Sequence, residues 1–201
     1  MERMAKRLLW LGSARRDIRG FPEAARRIAG FQLLRVQQGL EPNDWKPMAG
    51  IGAAVQEIRI HTEAEHRVCY VARPPVPTWS WHGRDTVSCW STAGDRAMAR
   101  ASGRITRSSG NVFRDLGFGR EEAEHLAIRS ELMMKIEQLL LTRGLTQAVA
   151  AKLMGVSQPR VSDLLRGRLD LFSTDALIDM LARLGLRVRL TFASSKPPKV
   201  A

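Results

Sequence analysis

The sequence predicts an α+β chain, with an N-terminal α/β part and a C-terminal all-helical part that ends in a β-strand. Three observations predict it. Residues 1–72 read in the order strand, helix, strand, strand. Residues 111–192 carry helical periods ended in turn by Gly144, Gly155, Gly167 and Gly185. From residue 186 the period changes from 3.6 to 2. With 201 residues, 44% of them apolar, the chain can bury at least one core.

The elements of the first part follow in order. Residues 8–11 (LLWL) form a short apolar strand. Pro22 stands where a first-turn proline belongs, and Gly39 where a left-handed cap belongs. Between them Ala24, Ile28, Phe31 and Leu34 keep helical spacing, with Leu33, Val36 and Leu40 widening the apolar face. Residues 41–48 (EPNDWKPM) hold two prolines and read as a loop. Residues 55–60, β-branched at their apolar positions, and residues 67–72, mostly apolar, form a hairpin joined across TEAE. Residues 73–110 hold three of the five tryptophans and three of the nine prolines, and no window in them keeps either period. They read as an irregular basic linker.

The second part opens with a long amphipathic helix over residues 121–143. Leu126, Met133, Ile136 and Leu140 form its stripe, and Leu132 and Leu139 broaden it. Glu121, Glu122 and Glu124 suit the positive end of its dipole. Gly144 ends it. Thr146 caps a helix over 147–154, Gly155 ends that helix, and Ser157 caps the next, over 158–166, before Gly167. A further helix starts at Ser173 or Thr174 and turns Leu177, Ile178, Leu181 and Leu184 inward. Leu186, Val188, Leu190 and Phe192 then alternate with polar residues as a half-buried strand, and 193–201 form a tail.

Charge narrows the partners. Thirty-two Lys and Arg face twenty Asp and Glu, a net +12, spread over both halves. Such an excess favours a polyanion, either nucleic acid or an anionic membrane surface. No run of about 18 apolar residues could span a bilayer, and LLWL is too short for a secretory signal of about 7–15 apolar residues. Cys69 and Cys89 form no disulfide framework, which fits a cytoplasmic, reducing compartment. His61, His66, His82 and His125 have no metal-ligand spacing with them. The sequence therefore predicts no metal, no cofactor and no membrane partner.

The segment LTQAVAAKLMGVSQPRVSDLLRG, residues 145–167, carries the function. Two short helices meet at a tight turn through Met154, Gly155 and Val156. Ala150, Leu153, Val156, Val161 and Leu164 are spaced to pack them together, and Ala151 allows close approach. The unit resembles the Cro/repressor-type (Xre) helix-turn-helix. The resemblance implies a second helix lying in the major groove, with its first residues at the base edges. Those residues are Ser157, Gln158, Arg160, Ser162 and Asp163. Gln158 can pair with adenine and Arg160 with guanine. Asp163 can accept from cytosine or orient an arginine. Gln147 would hold a phosphate at the first helix N-terminus, and Arg166 and Arg168 would reach the backbone. One such helix reads few base pairs, so the resemblance implies a homodimer on a pseudo-palindromic operator in double-stranded DNA. Residues 186–192 either form that dimer or pair within the chain.

Both parts have a family likeness. NVFRDLGF, the acidic helix and the helix-turn-helix, about residues 105–192, look like the antitoxin of Hig toxin–antitoxin modules. That likeness implies a transcriptional repressor of its own operon, with a RelE-like toxin as a further partner. Residues 8–73 are similar to the phage-derived branch of RelE-superfamily toxins, which cleave messenger RNA without metal. On that likeness Lys46, Arg59 and Arg67 are the basic residues of the matching loop and hairpin. Past Ala72 the family continues with a further strand, a basic stretch and a helix, whereas this sequence turns to Pro, Trp, Ser and Arg. A frameshift from a toxin gene into its antitoxin gene would produce that order. The resulting expectation is a truncated, non-enzymatic toxin segment over 1–72, followed by a DNA-binding domain over 111–192. The alternative is a metal-independent endoribonuclease with its antitoxin fused in cis.

Overall fold

The computed structural model describes residues 6–51, 54–72, 86–91 and 105–189. The chain opens with strand β1 (Arg7–Leu11), helices α1 (Ala14–Arg19) and α2 (Glu23–Gln37), and strands β2 (Trp45–Pro47), β3 (Val55–His61) and β4 (Glu65–Ala72). Strands β5 (Thr86–Ser91) and β6 (Ile105–Arg107) complete a six-stranded sheet in the order β2-β3-β4-β5-β1-β6. All pairings are antiparallel except β1 with β5. The helical half follows as α3 (Val112–Asp115), α4 (Arg120–Thr142), α5 (Gln147–Met154), α6 (Gln158–Leu165), a 3-10 turn at Leu169–Leu171, and α7 (Thr174–Arg183). The fold is mixed α and β, with the sheet in the N-terminal half and helices in the C-terminal half.

Helix α2 positions everything else. Its helical period is clear, yet it has no solvent stripe over its second half. Ala29 to Leu33 and Arg35 to Gln37 are all buried. One side packs on the sheet and α1, among Leu8, Trp10, Ile18, Ile58, Ile60, Val68 and Tyr70. The other meets α3, α4 and the 3-10 turn, so both halves share a single core. At the closest points a side chain enters a space left by glycine. A Cβ on Gly30 would stand 2.4 Å from the Phe113 ring, and one on Gly167 would stand 2.2 Å from Phe31.

Polar contacts fix the same junction. The Asp115 carboxylate is fully buried. It accepts from Trp10 Nε1 at 3.0 Å and from the Ser109 backbone N–H at 3.0 Å, with Arg15 at 3.6 Å. The Asp115 carbonyl accepts from Arg15 Nε and Arg19 Nε at 3.1 and 2.7 Å. Arg35, on α2, pairs with Glu137, on α4, and both side chains are largely buried. Strand β6 adds the first residues of the C-terminal half to the edge of β1.

The structure corrects several sequence expectations. Residues 73–110 are not irregular throughout. Thr86–Ser91 forms β5 in the middle of the sheet, and Ile105–Arg107 forms β6. A strand of six residues is too short for periodicity to identify by itself, and this one is defined by its pairing with β4 on one side and β1 on the other. The expected loss of a further strand after Ala72 is therefore overturned. Residues 73–85 and 92–104 lie outside the described residues, as do 190–192 of the expected closing strand and the tail over 193–201. Residues 186–189 are described and form no strand. Ala24 is exposed, with Ala25 and Ala29 facing the core instead. Residues 45–47, read as loop, pair with β3.

Replacing Gly30 by alanine tests the shared core. Overpacking of this kind costs about 1–3 kcal/mol, against a helix-propensity gain of up to about 1 kcal/mol. The Phe113 ring is fully buried and has little room to retreat. Urea unfolding followed by circular dichroism should show a lower midpoint, with sheet and helices still lost in one transition.

Candidate nucleic-acid interface

Local rules build the helix-turn-helix. Thr146 precedes α5 and its hydroxyl accepts from the Val149 N–H at 3.4 Å. Gly155 follows α5 at φ +66°, the left-handed value that glycine adopts at no steric cost. Arg183 Nη1 donates to the Met154 carbonyl at 3.1 Å and so satisfies the end of α5. Ser157 occupies the N-cap of α6, but its side chain makes no capping bond. Pro159 fits the first turn, where no N–H partner is needed.

Ala150, Met154, Val161 and Leu164 close the pair, each at most 1% exposed, with Ala151 beside them. The expectation for Leu153 is corrected. It is 48% exposed and shares the outer face of α5 with Val149. Residues 150, 151 and 154 form the inward face, so position 153 falls about a quarter-turn outside it.

The structure separates the expected contact residues. Gln147, Ser157, Gln158, Arg166 and Arg168 are exposed, and Ser162 and Asp163 are half-buried. Asp163 stands 3.7 Å from Arg168 and forms an ion pair with it. Arg160 departs from expectation. Its Nη2 donates to the Leu171 carbonyl at 2.6 Å, and its guanidinium lies 4.5 Å from the Phe172 ring centroid. In this arrangement it ties α6 to the 3-10 turn instead of facing outward.

The sheet half borders this surface. Asn43 Nδ2 donates to the Leu165 carbonyl at the end of α6. The Asn43 N–H in turn donates to Gln32 Oε1 at 3.0 Å. A cleft of about 810 Å³ places Gln147, Ser162 and Arg166 opposite Gly39, Glu41 and Asn43. A second, of about 500 Å³, runs from Arg166 and Arg168 to Asp44, Arg59 and His61. Sequence reasoning missed Asn43, which reads as ordinary turn chemistry between Pro42 and Asp44. Its partner is 122 residues away.

The sheet gathers the other basic residues. Lys46 pairs in register with Glu57, and Arg59 stands opposite Arg67, so all four positions share one face. Glu57 is buried, with Lys46 at 3.7 Å and Arg59 at 3.5 Å. Cys69, opposite Glu57, is buried and free. Burial pushes its thiol up to about 11, helped by the Glu57 charge, so it stays protonated near neutral pH. Among the described residues no cluster of three or more His, Cys, Asp or Glu is placed to hold a metal. No helix among them is long and apolar enough to cross a membrane.

The chain is similar to two families over separate stretches. Residues 112–192 match a helix-turn-helix domain. Residues 16–76 match the family described as phage derived protein, Gp49-like. A comparison with curated proteins gives no match. A toxin–antitoxin module fits this combination.

His61 supplies a pH test of the loop that borders the interface. Glu65 Oε1 lies 2.6 Å from Nδ1, and Asp44 Oδ2 lies 2.7 Å from Nε2. These two bonds, Glu65 first, raise its pKa above 6.5, with slight desolvation opposing them. A raised folded-state value means the stabilisation is full below the unfolded pKa and is lost as pH rises through the folded one. NMR titration should place the ring midpoint above 6.5, returning toward it in Glu65→Gln. The cost of His61→Ala should be larger at about pH 5.5 than at about pH 8.5.

Proposed function

We propose that this chain is a sequence-specific DNA-binding regulator, an antitoxin-like repressor of a toxin–antitoxin operon. One observation carries the reading. The N-terminal residues of α6 point outward, with Ser157 and Gln158 exposed, while Val161 and Leu164 on its other face seal it to α5. A helix held in that way offers its first turn to a major groove. Gln158 is the base reader, with adenine as its chemical match. Gln147, Ser162, Arg166 and Arg168 flank it as groove and backbone contacts, and Arg160 holds the helix in place.

An eight-residue helix reaches few base pairs, so the operator is a pseudo-palindrome read by a dimer. Residues 186–192 remain our proposed dimer element. A RelE-like toxin is the proposed protein partner, and the cytoplasm the proposed location.

A second reading is a metal-independent ribonuclease in the sheet half, with the helical half fused in cis. Two features favour it. Strand β5 supplies the strand that the sequence was expected to lack. Lys46, Arg59 and Arg67 share one sheet face, where guanidinium and ammonium groups could stabilise charge on a phosphoryl transition state.

Salt titrations of binding to a selected site and to random DNA separate specific reading from the adhesion of a basic chain. Gln158→Ala should lose about 1–3 kcal/mol on the selected site and little on random DNA. Arg168→Ala should weaken both about equally and lower the salt slope by about one. Equal binding of both DNAs by the wild type, unchanged in Gln158→Ala, would rule the reading out.

A further inference from the structure

The second cleft belongs to neither half alone. Arg166 and Arg168 enter it from the segment after α6, and Arg59 and His61 from the end of β3. Asn43 bonds the end of α6 directly to the loop that borders β3, and the Arg59 N–H donates to the Asp44 carbonyl at 3.0 Å. Gly167, between the two arginines, is buried against Phe31 with no room for a Cβ. Core packing and backbone bonding therefore fix the chain positions that carry the three arginines at this junction.

Their neutralisation is incomplete. Arg166 makes no side-chain hydrogen bond or ion pair among the described residues. Arg59 and Arg168 have one carboxylate each, at 3.5 and 3.7 Å, and both side chains keep substantial exposure. Asp44, the carboxylate of the cleft itself, is bonded to His61. Like charges converging on one concavity repel unless an anion joins them, and a guanidinium fork matches phosphate oxygens. The cleft also continues from the surface that Arg166 shares with Gln147 and Ser162.

We propose that this cleft holds a backbone phosphate of the duplex lying on α6, with Arg59 of the sheet half as a DNA contact beside Arg166 and Arg168. The inference rests on the DNA-binding reading and extends it, since it makes the interface composite. The sheet half then takes part in binding and is not merely carried along. Duplex DNA is the favoured source of the phosphate because two of the three arginines follow the recognition helix directly.

The test uses the full chain. Arg59→Gln should weaken the selected site and random DNA alike, by about threefold to tenfold at low salt, and lower the salt slope by about one. Arg59→Lys should restore the slope, because counterion release counts charge. Arginine modification by phenylglyoxal, read by mass spectrometry on the wild type, gives a measurement that needs no variant to fold. Duplex DNA should protect Arg59, Arg166 and Arg168, and leave Arg16, whose side chain is 85% exposed on α1, unprotected. If the duplex binds with sequence preference while Arg59 stays fully reactive, the composite interface is wrong and the DNA reading stands. Protection of Arg59 by single-stranded RNA but not by duplex would also overturn it. Failure of the wild type to bind duplex at all would remove both.

Discussion

Helix α2 has no free face over its second half, and the rest of the structure depends on that. A surface helix of a globular protein keeps a polar stripe toward water. Here Gln32, Arg35 and Gln37 occupy that stripe and are buried. Each has a partner. Gln32 accepts from the Asn43 N–H, Gln37 donates to the Lys6 carbonyl, and Arg35 donates to the Glu41 carbonyl and pairs with Glu137. A buried charge without its partner is costly, so Arg35 and Glu137 commit the two halves to one arrangement. Phe113 and Phe31 enter the spaces beside Gly30 and Gly167 and fix the rotation about α2. The shared core is centred on this helix.

The basic excess has two uses that composition cannot separate. Much of it faces inward. Arg19 and Arg26 donate to the carbonyls at the end of α3, Arg183 to the end of α5, and Arg143 to Leu184 after α7. Arg129 and Arg160 do the same around the 3-10 turn, at Leu169, Phe172 and Leu171. Helix C-termini leave carbonyls without intrahelical partners and carry partial negative charge, so a guanidinium there satisfies both demands. A net +12 therefore overstates what is free for a polyanion. The arginines at the junction cleft are different: Arg59 and Arg168 each have a single carboxylate partner and remain substantially exposed, and Arg166 has none among the described residues.

Position along α6 and position in the fold together divide the labour of the interface. The first turn, clear of the sheet half, carries the side chains suited to base edges. The last turn is bonded to Asn43, and Gly167 just beyond it packs on Phe31 of α2. The recognition helix is thus docked at one end and open at the other. A change in how the sheet half packs on α2 would be felt directly at the surface we propose for DNA.

The sequence by itself determined the helical half: the turn glycines, the N-caps at Thr146 and Ser173, and the α5–α6 pair all formed where residue type and spacing placed them. The β3–β4 hairpin and the span of α2 were legible for the same reason, since each signal lies within a few residues of what it specifies. The outward positions of Gln158 and Arg166 were legible too. Only the tertiary structure decided the rest. A six-residue central strand has no period of its own, and β5 takes its identity from β4 and β1 on either side. Leu153 and Met154 are both good core residues, and only the docked rotation of α5 buries one and exposes the other. Arg160 and Arg166 are identical in chemistry on the same short unit. One finds Leu171 and Phe172 within reach and turns inward, while the other has no side-chain partner among the described residues and lines the cleft. Contacts between residues about a hundred positions apart leave no local trace in a chain. Burial, pairing and free charge at the junction are consequences of packing, and not of spacing.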